Sequence, residues 1–225
     1  EKTPLSWSLF HVTMLTWYAF VVKSLAAKDG EELPPGIFFY GGPWKYLTFL
    51  NLLLQMSFFL LATLVDFQRV QKSFVFLTSL KDLLFSVFVF PVGSFVVLLF
   101  WTIFAFDREL VYPATIDAFF PPWMNHAMHT FVLPVLLGEV LLQPHCVSLS
   151  LSLSLSLSLN SPCRIVWVYL SVGLWVYPLL GRLSSAGLVF FFFFNMSVVA
   201  FLYELGDKLN VLVWSQRRAV KSREE

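Results

Sequence analysis

Five polar side chains interrupt otherwise apolar stretches in a pattern that can do chemistry. Thr48, Asn51 and Gln55 stand at i, i+3 and i+7, which puts them on one face of a helix. The block Asn125-His126-Ala127-Met128-His129-Thr130 carries two histidines at i and i+3, sharing a face by the same rule. A threonine hydroxyl is a weak nucleophile at neutral pH and needs an adjacent base. Neutral imidazole, with an aqueous pKa of about 6.5, is the natural one. A Thr48–His129 pair would therefore perform nucleophilic catalysis. Two other readings stay open on spacing alone. Thr48 can cap a helix while the histidines bond neighbouring helices. His126 and His129 can also be two zinc ligands, but zinc wants a third protein ligand and a second-shell partner. Glu139 is ten residues on, roughly 15 Å along a helix, too far to join them. Asp107 and Asp117 are not specified by any pattern.

The composition says what must hold these groups. The 225-residue chain is 58% hydrophobic and only 13% charged, with 26 Phe. A soluble domain carries about 25% charged residues, and a disordered chain needs low hydrophobicity. What remains is an all-α, multi-pass transmembrane helical bundle. A net charge of +1 gives no footing for nucleic-acid binding. Two cysteines, Cys146 and Cys163, make neither a disulfide framework nor a zinc finger.

About six spans are expected: Leu5 to Val22, Leu47 to Val65, Leu83 to Phe106, Ala127 to Leu142, Ile165 to Leu180 and Ala186 to Tyr203. Pro91 and Gly93 predict a kink in the third, and the fifth is short. Trp44, Tyr46, Tyr112, Trp123, Trp175, Tyr177 and Tyr203 mark the interfaces. With six spans both termini share one side. That side holds Lys2, Arg69, Lys72, Lys81, Arg164, Lys208, Arg217, Arg218, Lys221 and Arg223. The other holds Lys23, Lys28, Lys45, Arg108 and Arg182. The bias predicts cytosolic termini, in the plasma membrane or an endomembrane. Residues 1–210 then form a single transmembrane domain and residues 211–225 a basic cytosolic tail, which can also touch anionic lipid.

The topology brings the two chemical blocks to one depth. The second and fourth spans both start from the non-cytosolic side. Thr48 lies three residues past Lys45, and His129 six past Trp123. Both sit one to two turns below the same interface, where a hydroxyl and an imidazole can meet.

Other polar residues carry less. Asp82, Glu139 and Glu204 lie at or inside spans, where they pair with cations or line a proton or ion path. His11 and His145 stand alone. Asn195-Met196-Ser197 spells a glycosylation sequon but falls inside the sixth span. There is no phosphate-binding Gly-rich loop and no G-x-S-x-G elbow.

Ser148 to Leu159 is a strict Ser-Leu alternation. On a helix it spreads leucine round every face, and a lone strand would leave its backbone unpaired in lipid. A CT dinucleotide repeat translates as Leu-Ser, and Pro162-Cys163-Arg164 can be encoded by a pyrimidine-rich stretch ending in TGCAGG, like a splice acceptor. The expectation is that residues 147–163 are translated intron, which truncates the fifth span.

These blocks together carry a likeness. Gly42-Pro43-Trp44-Lys45-Tyr46-Leu47-Thr48 with Leu50-Asn51-Leu52-Leu53-Leu54-Gln55, Lys81-Asp82-Leu83-Leu84-Phe85, and Phe90-Pro91-Val92 belong to it. So do Asp107-Arg108-Glu109-Leu110, Tyr112-Pro113, Trp175-Val176-Tyr177-Pro178, Leu205-Gly206 and Lys208-Leu209-Asn210. The most specific block is Trp123-Met124-Asn125-His126-Ala127-Met128-His129-Thr130-Phe131. From about Trp17 to Trp214 the chain resembles the androgen-induced / androgen-dependent TFPI-regulating protein family, and looks most like its androgen-dependent branch. The resemblance implies a multi-pass membrane threonine hydrolase acting on branched fatty acid esters of hydroxy fatty acids. It implies Thr48 as nucleophile and His129 as the essential histidine, with no cofactor and no metal. Asn51 and Asn125 are the sequence candidates for oxyanion donors. The rival expectation is a non-enzymatic membrane regulator of partner expression or trafficking. The Ser-Leu stretch departs from the family, where an apolar segment stands at that place.

Overall fold

The structure is a computed structural model that describes residues 5–30, 42–67, 74–117, 119–145, 169–171, 173 and 175–224. The Ser-Leu stretch, both cysteines and the first residues of the expected fifth span lie outside the described residues. Eight α-helices are taken in chain order: α1 Leu5–Ala26, α2 Leu47–Phe67, α3 Phe74–Leu84, α4 Phe90–Phe106, α5 Pro122–His129, α6 Val132–Leu142, α7 Pro178–Gly181 and α8 Ser185–Glu224. No strand occurs among the described residues. Five helical stretches are long and apolar enough to cross a membrane, including Val75–Phe106, which joins α3 to α4, and Pro122–Leu142, which joins α5 to α6. This is an integral membrane protein of helical-bundle architecture.

The third stretch is longer than the expected Leu83 to Phe106, because Lys81 and Asp82 lie inside it, paired at 3.2 Å. Its irregularity sits where Pro91 requires one. A π-helical turn, Phe85–Val89, precedes the proline, and the Phe90 N–H donates to Phe85 O. Proline has no N–H and its ring crowds the carbonyl four residues back, so the wider turn relieves both problems. Gly93 follows at the closest helix approach. A Cβ there would lie 2.7 Å from Gln55 Nε2 and 2.8 Å from Leu136 Cδ1, so its absence lets α2, α4 and α6 meet. Gly206 does the same for α8, where a Cβ would lie 2.6 Å from Phe90 Cδ1.

The core is aromatic and aliphatic, with Tyr18, Phe58, Phe59, Leu52, Met124 and Leu136 fully buried. The Phe run of α8 splits by helical period. Phe190, Phe193 and Phe194 are exposed on the outer face, while Phe191, Phe192 and Asn195 line an interior cavity. Bulky apolar residues on an outward face suit lipid contact. Of the expected fifth span, the described part from Trp175 holds α7 alone. The helix that carries the expected sixth span continues unbroken through the basic tail.

Candidate functional site

Pro134 shapes the site locally. Its missing N–H and its ring clash with the carbonyl of Thr130, four residues back, disfavour an unbroken helix there. The helix does break at Thr130 and Phe131, between α5 and α6, and both N–H groups turn back onto His126 O at 2.8 and 2.9 Å. The His129 carbonyl is then met from outside the helix: Trp101 Nε1–H of α4 donates to it at 2.8 Å. Phe100, one residue before, stacks on the His129 ring with centroids 3.6 Å apart and planes 7° from parallel. The imidazole is thus fixed at its backbone and across one face.

The ring edges are equally constrained. His129 Nδ1 faces two oxygens of Asn125, the side-chain Oδ1 at 2.7 Å and the main-chain carbonyl at 3.1 Å. A carbonyl only accepts, so Nδ1 carries the hydrogen. Nε2 is left with its lone pair, and Thr48 Oγ1 lies 3.1 Å from it. The hydroxyl donates to the ring. This is the arrangement a weak hydroxyl nucleophile needs, with a base in contact and a third group holding the base's tautomer. The sequence candidates Thr48 and His129 are brought together from helices 81 residues apart.

The other sequence candidates disperse. His126 does not stay with His129: it is exposed, stacks on Trp101 and bonds Thr130 Oγ1 at 3.0 Å. The 60° between positions i and i+3 is enough to send one ring inward and the other out. Among the described residues no group of three or more His, Cys, Asp or Glu can hold a metal ion. Asn51 and Gln55 share the inward face of α2 but are fully buried and bond each other at 3.3 Å, with Gln55 also reaching Val89 O at 3.4 Å. Neither Asn51 nor Asn125 lines the cavity onto which Thr48 opens.

Thr48 opens onto a partly open cavity between α2, α4, α7 and α8. Its wall is nearly all apolar, from residues such as Val96, Leu99, Ile103, Leu180, Phe192 and Val199. Among the described residues three polar side chains reach it: Thr48, Tyr177 and Asn195. Such a chamber takes hydrocarbon and offers polar company at only a few points.

A second polar cluster sits at the opposite end of the bundle, 18 residues further along α2. His11 bridges two carboxyl groups, with Nδ1 2.7 Å from Asp66 and Nε2 3.1 Å from Glu139. His145 continues the chain, 3.2 Å from Glu139 and 3.0 Å from Asp82, and Lys81 closes it. The His145 backbone is clasped by Asn210 of α8 through both its N–H and its carbonyl. Sequence alone pairs neither histidine fully, because the partners of His11 are 55 and 128 residues away and Asp82 is 63 residues from His145. Glu204 is not part of this chain; it lies 3.9 Å from Lys208 on an exposed face.

Comparison with known proteins agrees with this architecture. A family profile described as FAR-17a/AIG1-like protein matches residues 7–211. The chain is 40% identical over 222 residues to the human androgen-dependent TFPI-regulating protein, covering 96% of each. It is 43% identical over 214 residues to the protein of that name from Rattus norvegicus, covering 92% of each. It is 37% identical over 199 residues to the human androgen-induced gene 1 protein, covering 83% of this chain and 84% of that one. No solved structure matches. A helical membrane bundle with likeness along nearly its whole length leaves one assignment: the chain belongs to the FAR-17a/AIG1-like family.

Proposed function

We propose that this protein is a membrane-embedded hydrolase of fatty acid esters of hydroxy fatty acids, with Thr48 as nucleophile and His129 as base. The observation that carries the reading is the 3.1 Å contact between Thr48 Oγ1 and His129 Nε2 at the wall of an apolar cavity. The Thr48 oxygen adds to the ester carbonyl as its proton passes to Nε2. The tetrahedral intermediate collapses and expels the hydroxy fatty acid, whose alkoxide takes that proton. Water then loses a proton to Nε2 and attacks the acyl-threonine. Collapse releases the fatty acid, and Thr48 recovers its proton from His129. Both acyl chains are hydrocarbon and suit the cavity, while only the ester needs polar partners. In the orientation that places both termini in the cytosol, the pair lies in the non-cytosolic leaflet.

The test is turnover by the purified protein in lipid nanodiscs. Thr48→Ala and His129→Ala each abolish hydrolysis while expression is retained, and a fluorophosphonate probe labels wild type but not Thr48→Ala. Near wild-type turnover by either variant removes that residue from the mechanism. The name of the androgen-dependent TFPI-regulating relatives favours a second reading, a regulator of a partner's expression or trafficking. A regulatory effect that persists in Thr48→Ala would assign that role to something other than hydrolysis.

A further inference from the structure

Hydrolysis through Thr48 needs a donor for the oxygen that becomes negative, and the two asparagines suggested by sequence do not reach the cavity. The cavity wall narrows the choice. Among the described residues its polar side chains besides the nucleophile are Tyr177 and Asn195. Asn195 lies ten residues into α8 and gives one of its two amide hydrogens to Phe191 O at 2.7 Å. Tyr177 is joined to the residue next to the nucleophile: its hydroxyl oxygen accepts the Leu47 N–H at 3.2 Å.

That bond has the direction an oxyanion donor requires. A phenol that accepts an N–H keeps its own hydrogen to give. Among the described residues that hydrogen meets no acceptor. Accepting the Leu47 N–H also polarises the O–H and makes it a better donor. The hydroxyl stands at the start of α2, a 21-residue helix whose positive dipole end favours developing negative charge. The phenol is held in place. Its ring meets Tyr46 edge to face at 6.1 Å, and Pro178 at the first position of α7 keeps the Tyr177 backbone extended, at φ −120° and ψ 131°. Arg182, just past α7, reaches Asp107 at 3.5 Å and ties the segment to the end of α4.

We propose that Tyr177 is a catalytic residue, its hydroxyl donating to the ester carbonyl oxygen as Thr48 attacks. The inference rests on the reading of Thr48 as nucleophile. It assigns the helix-breaking Trp175-Val176-Tyr177-Pro178 segment a part in the chemistry.

The experiment compares wild type, Tyr177→Phe and Thr48→Ala, each as full chain in nanodiscs. Two probes accompany the ester: a trifluoromethyl ketone analogue, which Thr48 converts to a tetrahedral oxyanion, and an ether analogue, which cannot react. Removing one oxyanion donor lowers kcat about 10²- to 10³-fold. Tyr177→Phe is expected to lose kcat in that range with KM changed less than about threefold, and to lose ketone affinity by a similar factor. Ether affinity is expected to stay at the wild-type value. A kcat within about threefold of wild type overturns the proposal, and so does a parallel fall in ketone and ether affinity, which marks a merely structural role. Full turnover by Thr48→Ala overturns the nucleophile reading as well; an inert Thr48→Ala with a fully active Tyr177→Phe overturns only the Tyr177 role. A second arm covers loss of folding in Tyr177→Phe. Placing 2,3,5-trifluorotyrosine at position 177 keeps the hydroxyl but acidifies it, so the alkaline loss of activity moves to lower pH. An unmoved alkaline limb overturns the proposal, because an ionised phenol has no hydrogen to donate.

Discussion

Asn125→Ala separates the parts of the site most sharply, because the structure gives His129 Nδ1 two acceptors and the substitution removes only one. The side-chain oxygen at 2.7 Å is lost, while the main-chain carbonyl of the same residue at 3.1 Å remains. A hydrogen bond to a neutral ring contributes about 0.5–1.5 kcal/mol, and one to a charged ring about 1.5–3 kcal/mol. In the proposed mechanism His129 is neutral before attack and cationic in the transition state, so the bond strengthens as the reaction proceeds. Only that increase enters kcat. With the second acceptor still in place the upper bound on that increase is about 2.5 kcal/mol, and the expected fall in kcat is about 10-fold, bounded at about 70-fold. Losing the correct tautomer altogether would lower kcat about 10⁴-fold, but the backbone carbonyl preserves it. KM should not change, since Asn125 is absent from the cavity wall. Steady-state hydrolysis of a branched ester lipid by protein in nanodiscs measures both constants. Loss of activity as deep as that of His129→Ala would refute this reasoning, because the main chain would then not be holding the ring. A kcat within about twofold of wild type would refute it from the other side.

Two further substitutions test the frame. Gly93→Ala places a Cβ 2.7 Å from Gln55 Nε2 and 2.8 Å from Leu136 Cδ1, so overpacking should destabilise the protein by about 1–3 kcal/mol; an unchanged unfolding midpoint in a denaturant titration would contradict the close approach of α2, α4 and α6. Glu139→Ala removes the carboxylate that His11 and His145 share, leaving His11 only Asp66 and His145 only Asp82 and breaking a buried network, which should cost about 3–5 kcal/mol and much of the folded yield. Glu139→Gln, where it folds, should keep the wild-type kcat, since Glu139 is ten residues and roughly 15 Å beyond His129; a matching loss of turnover would make the cluster part of a proton path instead.

The meeting of Thr48 and His129 was legible because both positions can be counted from interfacial anchors, Lys45 and Trp123, on spans that run the same way. Membrane thickness converts such counts to depth, which is more than sequence offers for a soluble protein. The orienting role of Asn125 was within reach, since i and i+4 share a helix face, but only the rotamer decides whether its oxygen meets Nδ1 or leaves for another partner. Tyr177 was hidden for a different reason. It read as an interfacial aromatic of a spanning helix, whereas Pro178 ends that run and turns the phenol onto α2. The His11–Glu139–His145 chain was invisible because His11 is 128 residues from Glu139, and His145 lies past the end of α6, where no helical period places it. The divergence of His126 from His129 shows the limit of shared-face arguments near a helix break.

The path of the chain between His145 and Tyr177 leads to the last prediction. His145 belongs to the charged end of the bundle, bonded to Asp82, Glu139 and Asn210. Tyr177 belongs to the other end, bonded to Leu47 at the start of α2. α2 is 21 residues long, so the two ends are roughly 30 Å apart. The interval between these residues therefore starts at one end of the bundle and finishes at the other. A crossing in lipid wants about 20 mostly apolar residues. Ser148 to Leu159 places a hydroxyl at every second position of that interval. The mature transcript should therefore lack the CT repeat and encode an apolar segment ahead of Arg164. The protein made from it should express and fold better than the present chain, because the interval then has the apolar length that a crossing needs. Sequencing the spliced message decides the matter: a mature transcript that still encodes the Ser-Leu alternation would make the repeat a real part of the protein, and the interval would then have to be built from it.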